Sequence, residues 1–305
     1  MAVNPPNDTL QSAEADYQAG RYEHAFRTYR AIYARSELSA DLVRRMAASK
    51  LASVDTLGPG EGASDADWGI VVEACDRLVS RGMGDGMSAR ECGRAYLMHG
   101  DAELAAKALS AASQALPNDA EAHSALAAAL GSMSRTDDAI RHARRATELQ
   151  PGSASAQGNL GALLMLSNSP KNEALAAFER ALALEPKVAR RYSDVASAKV
   201  LLGDNAGAVA AYRKAIELEP NRANFHASLG YALLVSGDVA GAQAACEKAT
   251  TLDPKSIPGW VNLAVVYARS KRPVQAREAL SRAEAIDPQD MRVRTLRDEL
   301  APPKK

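Results

Sequence analysis

The chain of 305 residues lacks most of what would announce a chemistry. It has three cysteines, Cys75, Cys92 and Cys246, an odd and widely scattered set with neither a disulfide framework nor metal-site spacing. All three fall on apolar helical positions and are expected to be buried free thiols. It has no charge excess, since Lys plus Arg and Asp plus Glu both total 37. A general nucleic-acid or membrane-surface binder would carry a basic surplus, so neither partner is expected. No stretch approaches the roughly 18 uninterrupted apolar residues of a membrane span. The start, MAVNPPNDTLQSAEADYQAG, shows no charged leader and no apolar run, so no membrane insertion and a cytoplasmic location are expected. There is no strand pattern, no glycine-rich phosphate loop and no nucleophile beside a base. The five histidines, His24, His99, His123, His142 and His226, include no pair at the i, i+4 spacing of a helical metal site. No cofactor, metal or catalytic residue is expected, and the chain does not read as an enzyme.

What the chain has instead is a period. Pro117, Pro151, Pro186, Pro220, Pro254 and Pro288 are separated by 34, 35, 34, 34 and 34 residues. The clearest copy of what lies between them is GDNAGAVAAYRKAIELEP, from Gly203 to Pro220. With proline at position 32 of a 34-residue unit, position 8 is Gly93, Ala127, Gly161, Ala196, Gly230 and Ala264. Position 20 and position 27 are alanine in all six units. Small residues at fixed places let helices approach closely, while position 7 (Cys92, Leu126, Leu160, Val195, Leu229, Leu263) and position 24 (Leu109, Ala143, Phe178, Tyr212, Cys246, Leu280) supply most of the bulk between them. A period near 34 predicts a stack of helical hairpins.

These copies resemble the tetratricopeptide repeat (TPR) family over Gly86 to Pro288. The resemblance implies an all-α, right-handed α-solenoid of stacked helix-turn-helix hairpins with a C-terminal cap helix. It speaks strongly for a fold and weakly for a function. Along the chain, residues 1–6 read as a disordered lead. Residues 7–83 read as two divergent hairpins with an enlarged loop at 55–65, a partner contact or a tolerated insertion. Residues 86–288 form six regular units, 290–301 the cap helix and 302–305 a tail. The glycine-rich RGMGDGMS, residues 81–88, suggests a flexible joint. Asp101, Asp204 and Asp238 open second helices and are expected to be helix caps, as are Asp119, Ser153, Ser256 and Asp290 on first helices and on the last segment. The one spacing of 35 is explained by SNSPKNEA, where the turn gains a residue and Pro170. His123 and His226 stand at position 4, where the last unit has Trp260, and are expected to pack.

The family places ligand contacts on the first helices, notably at positions 2, 5, 6, 9, 12 and 13. Position 6 here includes Asn159, Asp194, Ser228 and Asn262, and an amide there can both donate to and accept from an extended peptide. Arg190 and Asn224 at position 2, Arg94 and Tyr231 at position 9, and Met165 and Leu234 at position 12 complete the expected protein-binding groove. The chaperone-tail-binding members use lysine, asparagine and arginine to hold a terminal carboxylate. Asn159 and Arg190 match part of that set, but Ser124, Ala128 and Asp194 depart from it, so that function is not carried over. The run Arg141, Arg144 and Arg145, with Arg135 nearby and Glu148 placed to pair with Arg144, is either a docking face for an acidic partner or a solvated helix face, the second being expected. The expectation is a non-catalytic scaffold or adaptor holding a peptide segment or helix of a partner protein in its concave groove. The rival is a structural or assembly subunit acting through self-association or docking of its ends. Twenty-six arginines against eleven lysines point to a GC-rich bacterial genome.

Overall fold

The computed structural model describes residues 9–57 and 65–300, which hold seventeen α-helices and no strand. The expected lead at 1–6, the tail at 302–305 and most of the expected loop at 55–65 lie outside the described residues. The chain divides into two compact units, residues 1–151 and 152–305. The first holds α1 (Leu10–Gln18), α2 (Tyr22–Tyr33), α3 (Ala40–Leu57), α4 (Asp65–Ser80), α5 (Gly86–His99), α6 (Ala102–Ala115), α7 (Ala120–Ser132) and α8 (Thr136–Leu149). The second holds α9 (Ala154–Leu166), α10 (Lys171–Leu184), α11 (Ala189–Leu201), α12 (Asn205–Leu218), α13 (Ala223–Ser236), α14 (Val239–Leu252), α15 (Ile257–Arg269), α16 (Pro273–Ile286) and α17 (Met291–Leu300). Within each unit a first helix packs on its second, the second packs on the next first, and successive first helices lie side by side, which is an α-solenoid arrangement.

The second helices of the six regular units stop for the same reason. A residue ahead of proline is pushed out of the α region, and Gln150, Glu185 and Glu219, each just before a period proline, have φ of -135°, -128° and -132°. Each first helix turns back through position 15 with positive φ, at Gly100 (96°), Ser134 (59°), Gly203 (80°), Gly237 (90°) and Lys271 (56°). The unit containing SNSP departs from this: α9 ends on an extended Ser167, Pro170 starts α10, and the Lys171 ammonium donates to the carbonyls of Leu164, Met165 and Ser167. Asp119, Ser153, Asp204, Asp238, Ser256 and Asp290 accept from first-turn N–H groups as expected. Asp101 does not. It occupies the N-cap position, but its carboxylate is engaged by His99 at 2.6 Å.

The alanines of positions 20 and 27 have no exposed surface in any of the six units. At position 8 the fit is closer still, since a Cβ added to Gly161 would stand 2.6 Å from the Phe178 ring. Position 4 has a role the period alone does not show. His226 Nε2 and Trp260 Nε1 donate to the carbonyls of Pro220 and Pro254 at 2.8 and 2.9 Å, and His123 Nε2 does so to Pro117 at 3.2 Å. Each ring thereby satisfies a carbonyl of the turn just past the C-cap of a second helix.

One expectation about the cysteines is overturned. Cys75 on α4 and Cys92 on α5 form a disulfide with Cα atoms 5.6 Å apart. The two belong to different hairpins, and the bond exists because α4 docks its apolar face on α5, a tertiary contact that counting and spacing do not reveal. Cys246 is a buried free thiol as expected, and burial pushes it up to about 12.

Candidate protein-binding site

The expected groove residues separate between the two units. Arg94 belongs to the first and is not available as a groove cation, because its guanidinium meets Glu91 at 3.1 Å and Glu121 at 2.5 Å. Glu91 is almost fully buried and also takes Arg90, which reaches on to Asp119 at 2.6 Å. These opposite charges form an ionic network at positions 5, 6 and 9 of one first helix and the start of the next. The arginine run on α8 is also neutralised in place: Arg135 and Arg141 pair with Asp138, and Arg145 with Glu148 and Asn118. An apolar cleft of about 660 Å³ in the same unit, bordered by Leu78, Val79, Cys92 and Leu104, contains none of the expected residues.

In the second unit, three of the expected residues share one cavity. A trough of about 660 Å³ runs between α13, α15 and α17 and is lined by Ser228, Tyr231 and Asn262 together with Pro258, Val261 and Val265. Tyr212 and Ala227 close one side, and Met291, Arg292, Thr295, Leu296 and Glu299 of α17 form the opposite wall. The lining repeats by register: positions 5, 6 and 9 of α13, then 2, 5, 6 and 9 of α15. Counting on past Pro288 gives Arg292, Leu296 and Glu299 of α17 as positions 2, 6 and 9. The last helix was expected only to cap. It does bury Val293 and Leu296 against Leu263 and Leu280, but it also continues the row of first helices and supplies a wall. The unbroken 34-residue count was the signal for this.

The remaining expected residues behave differently. Leu234 is 3% exposed and belongs to the core with Ala196, Tyr212 and Val266, so it is not a contact residue. A first helix has only a narrow exposed stripe, and position 12 of α13 falls on the wrong side of it. Asn262 lines the trough but donates its amide to the Ala227 carbonyl at 3.0 Å, and Arg269 likewise to Leu234, so both tie α15 to α13. Asn262 therefore keeps its Oδ1 and one remaining N–H. Ser228 stands beside the Tyr212 hydroxyl, which shares a 2.9 Å hydrogen bond with Ser197. Asp194 lies 3.9 Å from both Arg190 and Arg191 and accepts no hydrogen bond among the described residues. Burial pushes its carboxyl above the usual range against the pull of the two arginines. Asn224 and Tyr231 are exposed, Met165 is half-buried, Asn159 is half-buried and engaged, and Arg190 is exposed; apart from Tyr231 they stand outside the trough.

Among the described residues no group of three His, Cys, Asp or Glu side chains could hold a metal ion, and no helix is long and apolar enough to cross a membrane.

Comparison with known proteins agrees with this architecture. Family models described as tetratricopeptide repeat match residues 124–189 and 233–300, and one described as TPR repeat matches 196–237. No curated protein matches the chain. Among solved structures, the APC/C hetero-tetramer Cut9-Hcn1 superposes with a TM-score of 0.67 at 19% identity, over 96% of this chain and 55% of that one. The chain thus spans about half the length of that neighbour. A tetratricopeptide repeat protein from Parabacteroides merdae gives 0.65 at 14% identity, covering 85% of this chain and 98% of its own. Pseudomonas aeruginosa pilF gives 0.58 at 18%, covering 70% and 97%. These likenesses carry the fold, and with the matched repeats they place the chain: it belongs to the tetratricopeptide repeat family.

Proposed function

We propose that this protein is a non-catalytic adaptor whose second unit holds a segment of a partner protein in the trough between α13, α15 and α17. The observation that supports this is the trough itself, about 660 Å³ lined from three consecutive first helices at the same repeat positions. A lining of this volume, with apolar walls and a few placed polar groups, suits a ligand's side chains. Tyr231, 47% exposed, is the aromatic anchor of the rim, and Met291, 80% exposed, is an apolar side chain with nothing over it. Both are the kind of residue that contributes most when covered by a partner.

The test begins with a photo-cross-linking amino acid at position 231 in the native cell, and identification of what it captures by mass spectrometry. The captured partner is then titrated against Tyr231→Ala with Met291→Glu, and against Arg213→Glu with Lys248→Glu on the second helices α12 and α14. The trough pair should weaken binding by more than about a hundredfold, on the scale of one interface hot spot. Binding that survives the trough pair and fails with the second-helix pair would move the working surface to the other side of the stack. Capture of a second copy of this chain would instead favour assembly by self-association.

A further inference from the structure

The trough's polar groups are unequally engaged, and this determines what can enter. Arg292 is not free: its Nε and Nη2 reach the two carboxylate oxygens of Asp290 at 3.0 and 2.6 Å. That pairing, with a backbone N–H, holds the Asp290 carboxyl down to about 2. Asn262 has given one N–H to Ala227, and the Thr295 hydroxyl donates to the Met291 carbonyl at 2.9 Å. Glu299, by contrast, makes no ion pair or hydrogen bond among the described residues and is exposed on the wall facing Tyr231 and Asn262. What remains on offer is one unpaired carboxylate, one exposed aromatic ring and the Asn262 amide with its oxygen and one N–H, over a floor of Val261, Val265 and Leu296.

That set matches a cation on an apolar stem. A carboxylate attracts it by charge, an aromatic face by its quadrupole, an amide oxygen accepts its N–H, and the methylenes of lysine or arginine cover apolar surface. An acidic side chain would meet Glu299 unscreened and find the only arginine of the lining already paired. Resting on the proposed function above, we infer that the trough selects a basic partner segment, one lysine or arginine entering between Tyr231 and Glu299 with an apolar residue beside it.

The experiment uses the full chain and an immobilised positional-scanning library of nonapeptides with one residue fixed at a time. Wild type should retain peptides with a fixed Arg or Lys next to Leu or Met over their Asp and Glu counterparts by about tenfold or more. Glu299→Lys, at an exposed position, should reverse the sign of that preference, while Tyr231→Ala should reduce retention of the basic peptides about tenfold. Retention that depends on Tyr231 but shows no charge preference, or an acidic one, would leave the trough as the site and overturn the cationic ligand. Retention unaffected by Tyr231→Ala and by Met291→Glu, or no retention of any peptide, would overturn both.

Discussion

Two stretches of this chain place residues at the same repeat positions and use them in opposite ways. On α5, positions 5, 6 and 9 are Arg90, Glu91 and Arg94, which close on one another and on Glu121 and Asp119 of the next repeat. On α15, positions 5, 6 and 9 are Val261, Asn262 and Val265, which leave a trough. A repeat register therefore fixes where a side chain stands but not whether it is free. On α5 the inner positions are consumed by holding hairpins together. On α15 Asn262 also ties its helix to α13, but the valines beside it leave the trough open. The units also differ covalently, since the first has the Cys75–Cys92 disulfide and the second a buried free thiol.

The sharpest way to break this contrast is to remove the wall that the last helix provides. Leu296 is buried with Val293 against Leu263, Leu280 and Ala283. Leu296→Ala should cost about 2–5 kcal/mol by creating a cavity, loosen α15 to α17 in hydrogen exchange and abolish trough binding. Because repeat stability is a sum of local and neighbour terms, α1 to α8 should keep their protection. Loosening of equal extent throughout would mean the two units fold as one.

Reduction tests the other side. The disulfide closes a sequence separation of 17, and a loop near 15 residues corresponds to about 3 kcal/mol in the chain-entropy model. Reducing agent, or Cys75→Ser with Cys92→Ser, should destabilise the first unit by about that amount and leave the second unchanged. Exchange rates read helix by helix, with and without reductant, decide it. A smaller effect is expected at the close-packed glycines: Gly161→Ala should cost about 1–3 kcal/mol by overpacking against Phe178, offset in part by the better helix propensity of alanine. A stability gain would show that the Phe178 ring can move aside.

The fold was legible in the sequence because its causes are local and repeat. In the regular units a proline stops each second helix, an alanine or glycine permits each crossing, and a polar cap starts most first helices. The site was legible only in outline. Ser228, Tyr231 and Asn262 were singled out from the contact positions that the family resemblance implies, but the engagement of Arg94 by Glu91 and of Asn262 by Ala227 depends on which neighbour comes within about 3 Å. Leu234 was misplaced because position 12 of a helix lies at the edge between exposed and buried, and a small rotation decides it. Met291, Arg292, Thr295 and Glu299 went unread although the count led to them. A ten-residue charged helix at the end of an array looks like a solvating cap. The disulfide joins the divergent hairpin of α4 to the first regular unit, and no repeat count relates α4 to α5.

The smallest expected effect also separates the units, through pH. In the first, His123 Nε2 faces the Pro117 carbonyl, which can only accept, so this nitrogen carries the proton and His123 Nδ1 is the acceptor. His142 Nδ1, 3.0 Å away, must then donate. Burial, the His123 ring and Arg141 depress His142 below its ordinary value, with Asp138 opposing them. A depressed histidine contributes stability that is present above its unfolded value of about 6.5 and is lost as pH falls through the folded value. In the second unit burial raises Asp194, so its folded form favours the neutral acid. The penalty it carries at neutral pH is relieved as pH falls through its folded value towards the unfolded value of about 3.9. The other shifted carboxyls of the first unit, Glu14, Asp16, Asp41, Asp85 and Asp138, are lowered, so their contributions are lost only in more acid solution. Going from pH 7 to 5.5 should therefore loosen α7 and α8 without loosening α11 to α13, by an amount equivalent to less than about 2 °C in midpoint. His142→Gln should flatten the response of the first unit, and Asp194→Asn should stabilise the second at pH 7. If α7 and α8 still loosen to the same extent in His142→Gln, the histidine pair is not the group that titrates.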